Sequence, residues 1–164
     1  SMAIDKLAEK YNVNVVRCNV GEINVVTKMK EVGCLIGGEG NGGVILSESH
    51  YGRDSLVATA LLLNRLSMSD ITMSELHSNI PHYEIVKDFI KTDKPIDSKF
   101  INTIEKQFNP DEMNQMDGIK LIWGNKWIHI RKSNTEPIVR FYAEAETTQE
   151  SLDLINKSKE IFSK

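Results

Sequence analysis

Two short stretches of this sequence carry side chains whose types and spacing suit chemistry. The first is Gly37-Gly38-Glu39-Gly40-Asn41-Gly42-Gly43. Gly38, Gly40 and Gly43 give a formal G-x-G-x-x-G match, but a dinucleotide fingerprint needs a helix opening at the loop so that its amides and dipole meet the pyrophosphate. Here Val44-Ile45-Leu46 continues as strand, and no Lys-Ser or Lys-Thr pair follows to make a P-loop. Two readings stand: a plain glycine-rich turn between strands, or a loop stripped of bulk on which Glu39 and Asn41 reach one small polar ligand. A glutamate accepts two hydroxyl hydrogen bonds and an asparagine both donates and accepts, which suits the vicinal hydroxyls of a sugar.

The second stretch is Arg131-Lys132-Ser133-Asn134-Thr135-Glu136-Pro137, followed by Arg140. A turn with two hydroxyls, successive backbone amides, an amide side chain and flanking guanidinium groups supplies directional donors to a tetrahedral dianion. The alternative is a solvated basic turn whose Ser, Asn and Thr satisfy their own backbone.

Taken in order, the two loops resemble the signatures of the α-D-phosphohexomutase family, the phosphoglucomutases, phosphomannomutases and phosphoglucosamine mutases. That family marks its third domain with a sugar loop G-E-x-S-G-H and its fourth with a phosphate loop R-x-S-G/N-T-E-P followed shortly by Arg. Gly38-Glu39-Gly40-Asn41-Gly42-Gly43 and Arg131 to Pro137 with Arg140 match these, with Asn41 where the commonest pattern has Ser and Gly43 where it has His. Val20-Gly21-Glu22 and Gly52-Arg53-Asp54 add to the resemblance, which covers nearly the whole chain. It implies sugar binding by Glu39, Gly40 and Asn41, and phosphate binding by Arg131, Ser133, Asn134, Thr135 and Arg140.

The reaction so implied is interconversion of hexose 1-phosphate and hexose 6-phosphate (mannose, glucose or glucosamine) through a phosphoserine enzyme and a bisphosphate intermediate. The chain shows neither the family's active-serine context nor its D-x-D-x-D metal loop. The expectation is therefore a C-terminal fragment that binds and orients, with no catalytic residue and no metal ligand of its own. Magnesium and the hexose bisphosphate belong to the full-length enzyme, whose N-terminal domains 1 and 2 are the expected partners together with the hexose phosphate. Ser1-Met2 reads as a cloning remnant. The alternative is a stand-alone phosphosugar-binding module that senses without converting.

The elements that must hold these loops follow from periodicity. Ala3 to Tyr11 predicts a helix, Val13 to Cys18 a strand, and Asn24 to Val32 a helix ended by Gly33. Cys34 to Ile36 predicts a buried strand into the glycine loop, and Val44 to Leu46 the return strand. From Arg53 to Leu66, apolar residues at helical spacing cover so much of the surface that burial against a sheet is expected. The polar stretch Ser67 to Ser78 is the expected boundary, with a short helix possible around Ile71, Met73 and Leu76. Beyond it come a strand over Tyr83 to Phe89, a helix over Ser98 to Gln107, and a hairpin of Ile119 to Trp123 and Trp127 to Arg131 turning at Gly124-Asn125. A strand over Ile138 to Ala143 and a closing helix over Thr147 to Phe162 complete the pattern.

The expected fold is thus α/β followed by α+β. Residues 1–68 would be a partial, truncated third domain with a mixed sheet, and residues 69–164 a small antiparallel sheet with helices on one face. At 164 residues and a net charge of -3, the chain has no cationic excess for a polyphosphate backbone, so nucleic acid is not an expected partner. Cys18 and Cys34 lack C-x-x-C spacing and read as buried free thiols. No apolar run reaches membrane-span length, and a cytoplasmic location is the expectation. None of His50, His77, His82 and His129 has a ligand-spaced partner, and Trp123 and Trp127 are expected to pair across the hairpin.

Overall fold

The structure is a computed structural model that describes residues 1–40, 42–133 and 135–164. The chain divides into two compact units, Leu7–Pro81 and a second formed by Ser1–Lys6 with His82–Lys164. The element order is α1 (Met2–Tyr11), α2 (Glu22–Val32), β1 (Ile36–Gly38), β2 (Val44–Leu46), α3 (Ser55–Ser67) and α4 (Met73–Ser78). It continues with β3 (Glu84–Lys91), α5 (Ser98–Phe108), β4 (Glu112–Asn114), β5 (Ile119–Trp123), β6 (Lys126–Lys132), β7 (Ile138–Ala145) and α6 (Thr148–Ser163).

In the unit Leu7–Pro81, β1 and β2 form a two-stranded antiparallel hairpin with Ile36 opposite Leu46 and Gly38 opposite Val44. Helix α2 closes over it: Val25, Val26 and Met29 pack with Ile45, and Cys18 and Cys34 lie at the edge of that cluster as free, half-buried thiols. Gly33 ends α2 in the left-handed conformation at φ 69°, which a side chain there would resist. Asp54 caps α3 by accepting from the backbone N–H of Leu56 and Val57. Thr72 and Glu75 form a full capping box on α4, which settles that short helix inside the polar stretch.

Three expectations fail in this unit. Val13 to Cys18 is not a strand; Val13, Val15 and Val16 are exposed, and among the described residues no strand pairs with this segment to supply the ladder that it needs. The first strand begins at Ile36 and is not buried, since Leu35 and Ile36 are both at least half exposed. Helix α3 exists as the periodicity requires, yet none of its residues is buried and Leu56 is 79% exposed. The two short strands offer too narrow a surface to enclose its apolar face.

The other unit is an antiparallel five-stranded sheet in the order β3-β7-β6-β5-β4. Its strands alternate, and one face carries Ile119, Leu121, Ile128, Ile130, Val139, Phe141 and Ala143 into the core. Helices α5 and α6 cover that face with Phe100, Ile104, Ile155, Ile161 and Phe162. Thr147 caps α6 by accepting from the N–H of Glu150. Trp123 lies opposite Lys126 and Trp127 opposite Ile122, so the two tryptophans point to opposite faces and do not pair. Trp123 instead tilts against Phe108 with ring centroids 6.0 Å apart, while Trp127 Nε1 donates to Glu144 Oε2.

Candidate functional site

The glycine-rich loop is the turn of the β1–β2 hairpin. It is closed by the N–H of Glu39 donating to the carbonyl of Gly43 at 3.0 Å, and a Cβ on Gly38 would stand 2.6 Å from that same carbonyl oxygen. Gly38 must therefore be glycine for the loop to close. Gly40 is exposed, with nothing within 4 Å of where a Cβ would stand, so a ligand can approach its backbone. Glu39 is 14% exposed and takes Arg53 Nη1 on its Oε2 at 3.3 Å. Arg53 in turn donates from Nε to Glu22 Oε2 at 2.8 Å and from its backbone N–H to Glu22 Oε1 at 3.2 Å. These hydrogen bonds hold the Glu22 carboxyl below its ordinary range, the backbone bond contributing most. Beside them His50 Nε2 lies 2.9 Å from Asp54 Oδ2, and that bond is the first cause of the lowered pKa of Asp54.

In the other unit, Ser133 follows β6 and is 8% exposed, with its N–H donating to the carbonyl of Ile138 across the mouth of the turn. The N–H of Thr135 reaches Ser133 Oγ at 3.4 Å, and the two hydroxyl oxygens lie 3.5 Å apart. Arg131 on β6 stands directly opposite Arg140 on β7. Arg131 Nη1 is 3.8 Å from Asp117 Oδ2, and Arg140 Nη2 is 3.1 Å from Glu136 Oε2. The pKa of Arg140 is raised, first by its electrostatic interaction with Tyr142, with Glu136 adding to it. The structure thus groups Arg131, Ser133, Thr135 and Arg140 at one turn and sets Glu39 beside Gly40 at the other; Asn41 and Asn134, expected at these sites, lie outside the described residues.

Sequence reasoning gave no role to the groups behind Arg131. His129 donates from Nε2 to the carbonyl of Asp117, which fixes the proton on that nitrogen. Gly118 follows at φ 75°, so close that a Cβ would sit 2.8 Å from Arg131 Cα. The His129 contact therefore steadies the segment against which the arginine backbone rests. Burial pushes the His129 pKa down, while Asp117 opposes the shift and Lys120 and Arg131 assist it. A histidine with its folded pKa depressed contributes stability that is complete above the unfolded value of about 6.5 and is lost as pH falls through the folded pKa. Thermal melts at pH 7.5 and pH 5 should accordingly show a larger loss for the natural chain than for His129→Gln, which keeps a donor but cannot charge. Equal losses would contradict this assignment.

Among the described residues no grouping of three or more His, Cys, Asp or Glu could hold a metal ion, and no helix is long and apolar enough to cross a membrane. Residues 1–83 match the family model described as phosphoglucomutase/phosphomannomutase, alpha/beta/alpha domain III, and residues 93–158 match that of the C-terminal domain. A phosphoglucosamine/phosphogalactosamine mutase of Sulfurisphaera tokodaii is 30% identical over 165 residues, covering 98% of this chain and 36% of the relative. A phosphoglucomutase/phosphomannomutase of Thermococcus kodakarensis is 32% identical over 158 residues, covering 94% and 34%. A solved phosphoglucomutase/phosphomannomutase family protein of Burkholderia thailandensis superposes with TM-score 0.76 at 22% identity, over 96% of this chain and 34% of that one. The chain spans about a third of the length of these relatives. With both family models matched in order along it, the chain belongs to the phosphoglucomutase/phosphomannomutase family, of which it carries domain III and the C-terminal domain.

Proposed function

We propose that this chain is the sugar- and phosphate-binding part of a phosphohexomutase that interconverts hexose 1-phosphate and hexose 6-phosphate, with glucosamine, glucose or mannose as the sugar. The observation that carries the reading is the placement of Arg131 opposite Arg140 at the turn that holds buried Ser133. Like charges directly opposed across a ladder destabilise a sheet. An anion between or beside them turns that cost into charge-assisted hydrogen bonds.

Arg131 and Arg140 supply charge to the phosphate that is not being transferred, and Ser133, Asn134 and Thr135 supply directional donors. Glu39 and Asn41, with the open backbone of Gly40, meet the sugar hydroxyls. Such groups lower a phosphoryl-transfer barrier by holding the acceptor in line. The phosphoserine, the magnesium ion and the bisphosphate turnover are assigned in this reading to the remainder of a longer enzyme, since the chain spans only about a third of its relatives' length. The parent protein is in this reading an intramolecular phosphotransferase, and the chain alone is inert.

Calorimetric titration of the isolated chain with glucosamine 6-phosphate, glucose 6-phosphate and mannose 6-phosphate tests the binding role. At least one should bind saturably, with Glu39→Gln weakening the binding followed in its own unit and Arg140→Ala the binding followed in the other. Absence of saturable binding by all three would refute the reading. A chain that binds them and also comes from a gene with no serine motif upstream would instead be the stand-alone sensor.

A further inference from the structure

We propose that Arg53 is the positioning residue for Glu39, holding its carboxylate in the orientation that a sugar hydroxyl meets; this rests on the reading that Glu39 contacts the sugar. Glu39 lies between Gly38 and Gly40, so no neighbouring side chain along the loop steadies it. What steadies it comes from elsewhere in the same unit. Arg53 Nη1 engages Glu39 Oε2 at 3.3 Å, and Arg53 is itself fastened from the other side by both oxygens of Glu22, the first residue of α2. The guanidinium thus spans two carboxylates that are 17 residues apart in sequence. Its planar fork serves two acceptors at fixed angles, which a lysine ammonium does not.

The frame around the bridge is rigid. The N–H of Asp54 donates to the carbonyl of Val44 at 2.9 Å, tying the Arg53 segment to the strand that leaves the glycine loop. Asp54 caps α3 and accepts from His50, so the residue that follows Arg53 is held by both. Glu22 takes the larger share of the guanidinium and Glu39 the remaining edge. Glu39 is in this way oriented while keeping its negative charge largely available to a hydroxyl donor.

The test uses the whole chain, with glucosamine 6-phosphate and inorganic phosphate as probes and backbone amide NMR as readout. Arg53→Gln should weaken glucosamine 6-phosphate binding followed at Gly38, Glu39 and Gly40 by about tenfold, the scale of the rotamer freedom an unheld glutamate loses on binding. Inorganic phosphate followed at Ser133 and Thr135 should bind with unchanged affinity, a split that general loosening of the fold would not give. Arg53→Lys should recover only part of the loss. Should Arg53→Gln unfold its unit, Glu22→Gln decides, since it loosens the guanidinium without removing it and should weaken the same binding about threefold. If Glu39→Gln weakens binding while Arg53→Gln or a folded Glu22→Gln does not, the positioning role is overturned and the sugar-contact reading stands. If the Gly38 to Gly40 amides do not respond in the natural chain, both fall together.

Discussion

Phe162→Ala should cost the five-stranded unit about 3–5 kcal/mol, the range measured when a large aromatic side chain is removed from a packed core. Phe162 is 2% exposed and stands where α6 meets both the sheet and α5. Its ring meets Phe100 edge-on at 5.1 Å between centroids and Phe141 at 5.9 Å, and Lys94 Nζ sits 5.1 Å from the ring centre. Truncation leaves a cavity bounded by three elements that cannot all close inward, so transfer and cavity penalties add. Typical domains have only about 5–15 kcal/mol of net stability, and this single change would consume much of it. Urea unfolding followed by tryptophan fluorescence reads the loss directly, because Trp123 and Trp127 both lie in this sheet. Leu152→Ala, on the same helix but 36% exposed, should cost far less. Comparable losses for the two variants would mean that α6 does not seat on the sheet in solution as described.

Arg131→Ala should weaken inorganic phosphate binding by about ten- to a hundredfold, corresponding to about 1.5–3 kcal/mol for one charge-assisted contact. Its side chain is 16% exposed, and its nearest carboxylate, Asp117, is 3.8 Å away, too distant to occupy the guanidinium with a short hydrogen bond. Arg140→Ala should cost less, because Arg140 is already shared with Glu136 at 3.1 Å. Arg131→Lys keeps the charge but not the fork and should recover only part of the affinity. The thermal stability of the unit should stay level or rise slightly in Arg131→Ala, since the like-charge opposition to Arg140 is relieved. Isothermal titration together with a melt separates these outcomes. A large drop in melting temperature with unchanged phosphate affinity would make Arg131 a structural residue.

Much of the second unit was legible because its signals are local. The Gly124-Asn125 turn fixes the β5–β6 hairpin, and the stripe of Leu152, Ile155 and Ile161 marks α6, although Leu152 itself is exposed. Among its described elements the three-residue strand β4 is too short to alternate visibly and was not expected. In the first unit the same periodicity misled. Val13 to Cys18 has the pattern of a strand, but a strand is defined by a partner, and the sequence of one segment cannot say whether a partner stands beside it. The apolar spacing on α3 correctly identified a helix, and its breadth wrongly implied a sheet to cover it. At the candidate sites, loop residues such as Glu39 and Ser133 were singled out as candidates by their types and spacing. Their partners at a distance were not: Arg53 meets Glu22 across 31 positions, and His129 reaches Asp117 across 12. Such pairs depend on how elements close in space, which spacing along the chain does not encode.

The most direct test of the central claim is a mutase assay on this chain alone and on the same chain joined after the N-terminal two-thirds of the Thermococcus kodakarensis relative. Both are supplied with magnesium, a hexose bisphosphate, and the 1-phosphates of glucosamine, glucose and mannose. The chain alone should convert none of them. The joined protein should convert at least one, with apparent substrate affinity reduced by Arg131→Ala and by Glu39→Gln. Turnover by the isolated chain in proportion to its concentration would contradict the account, as would a folded, monodisperse fusion that neither binds nor converts any of the three.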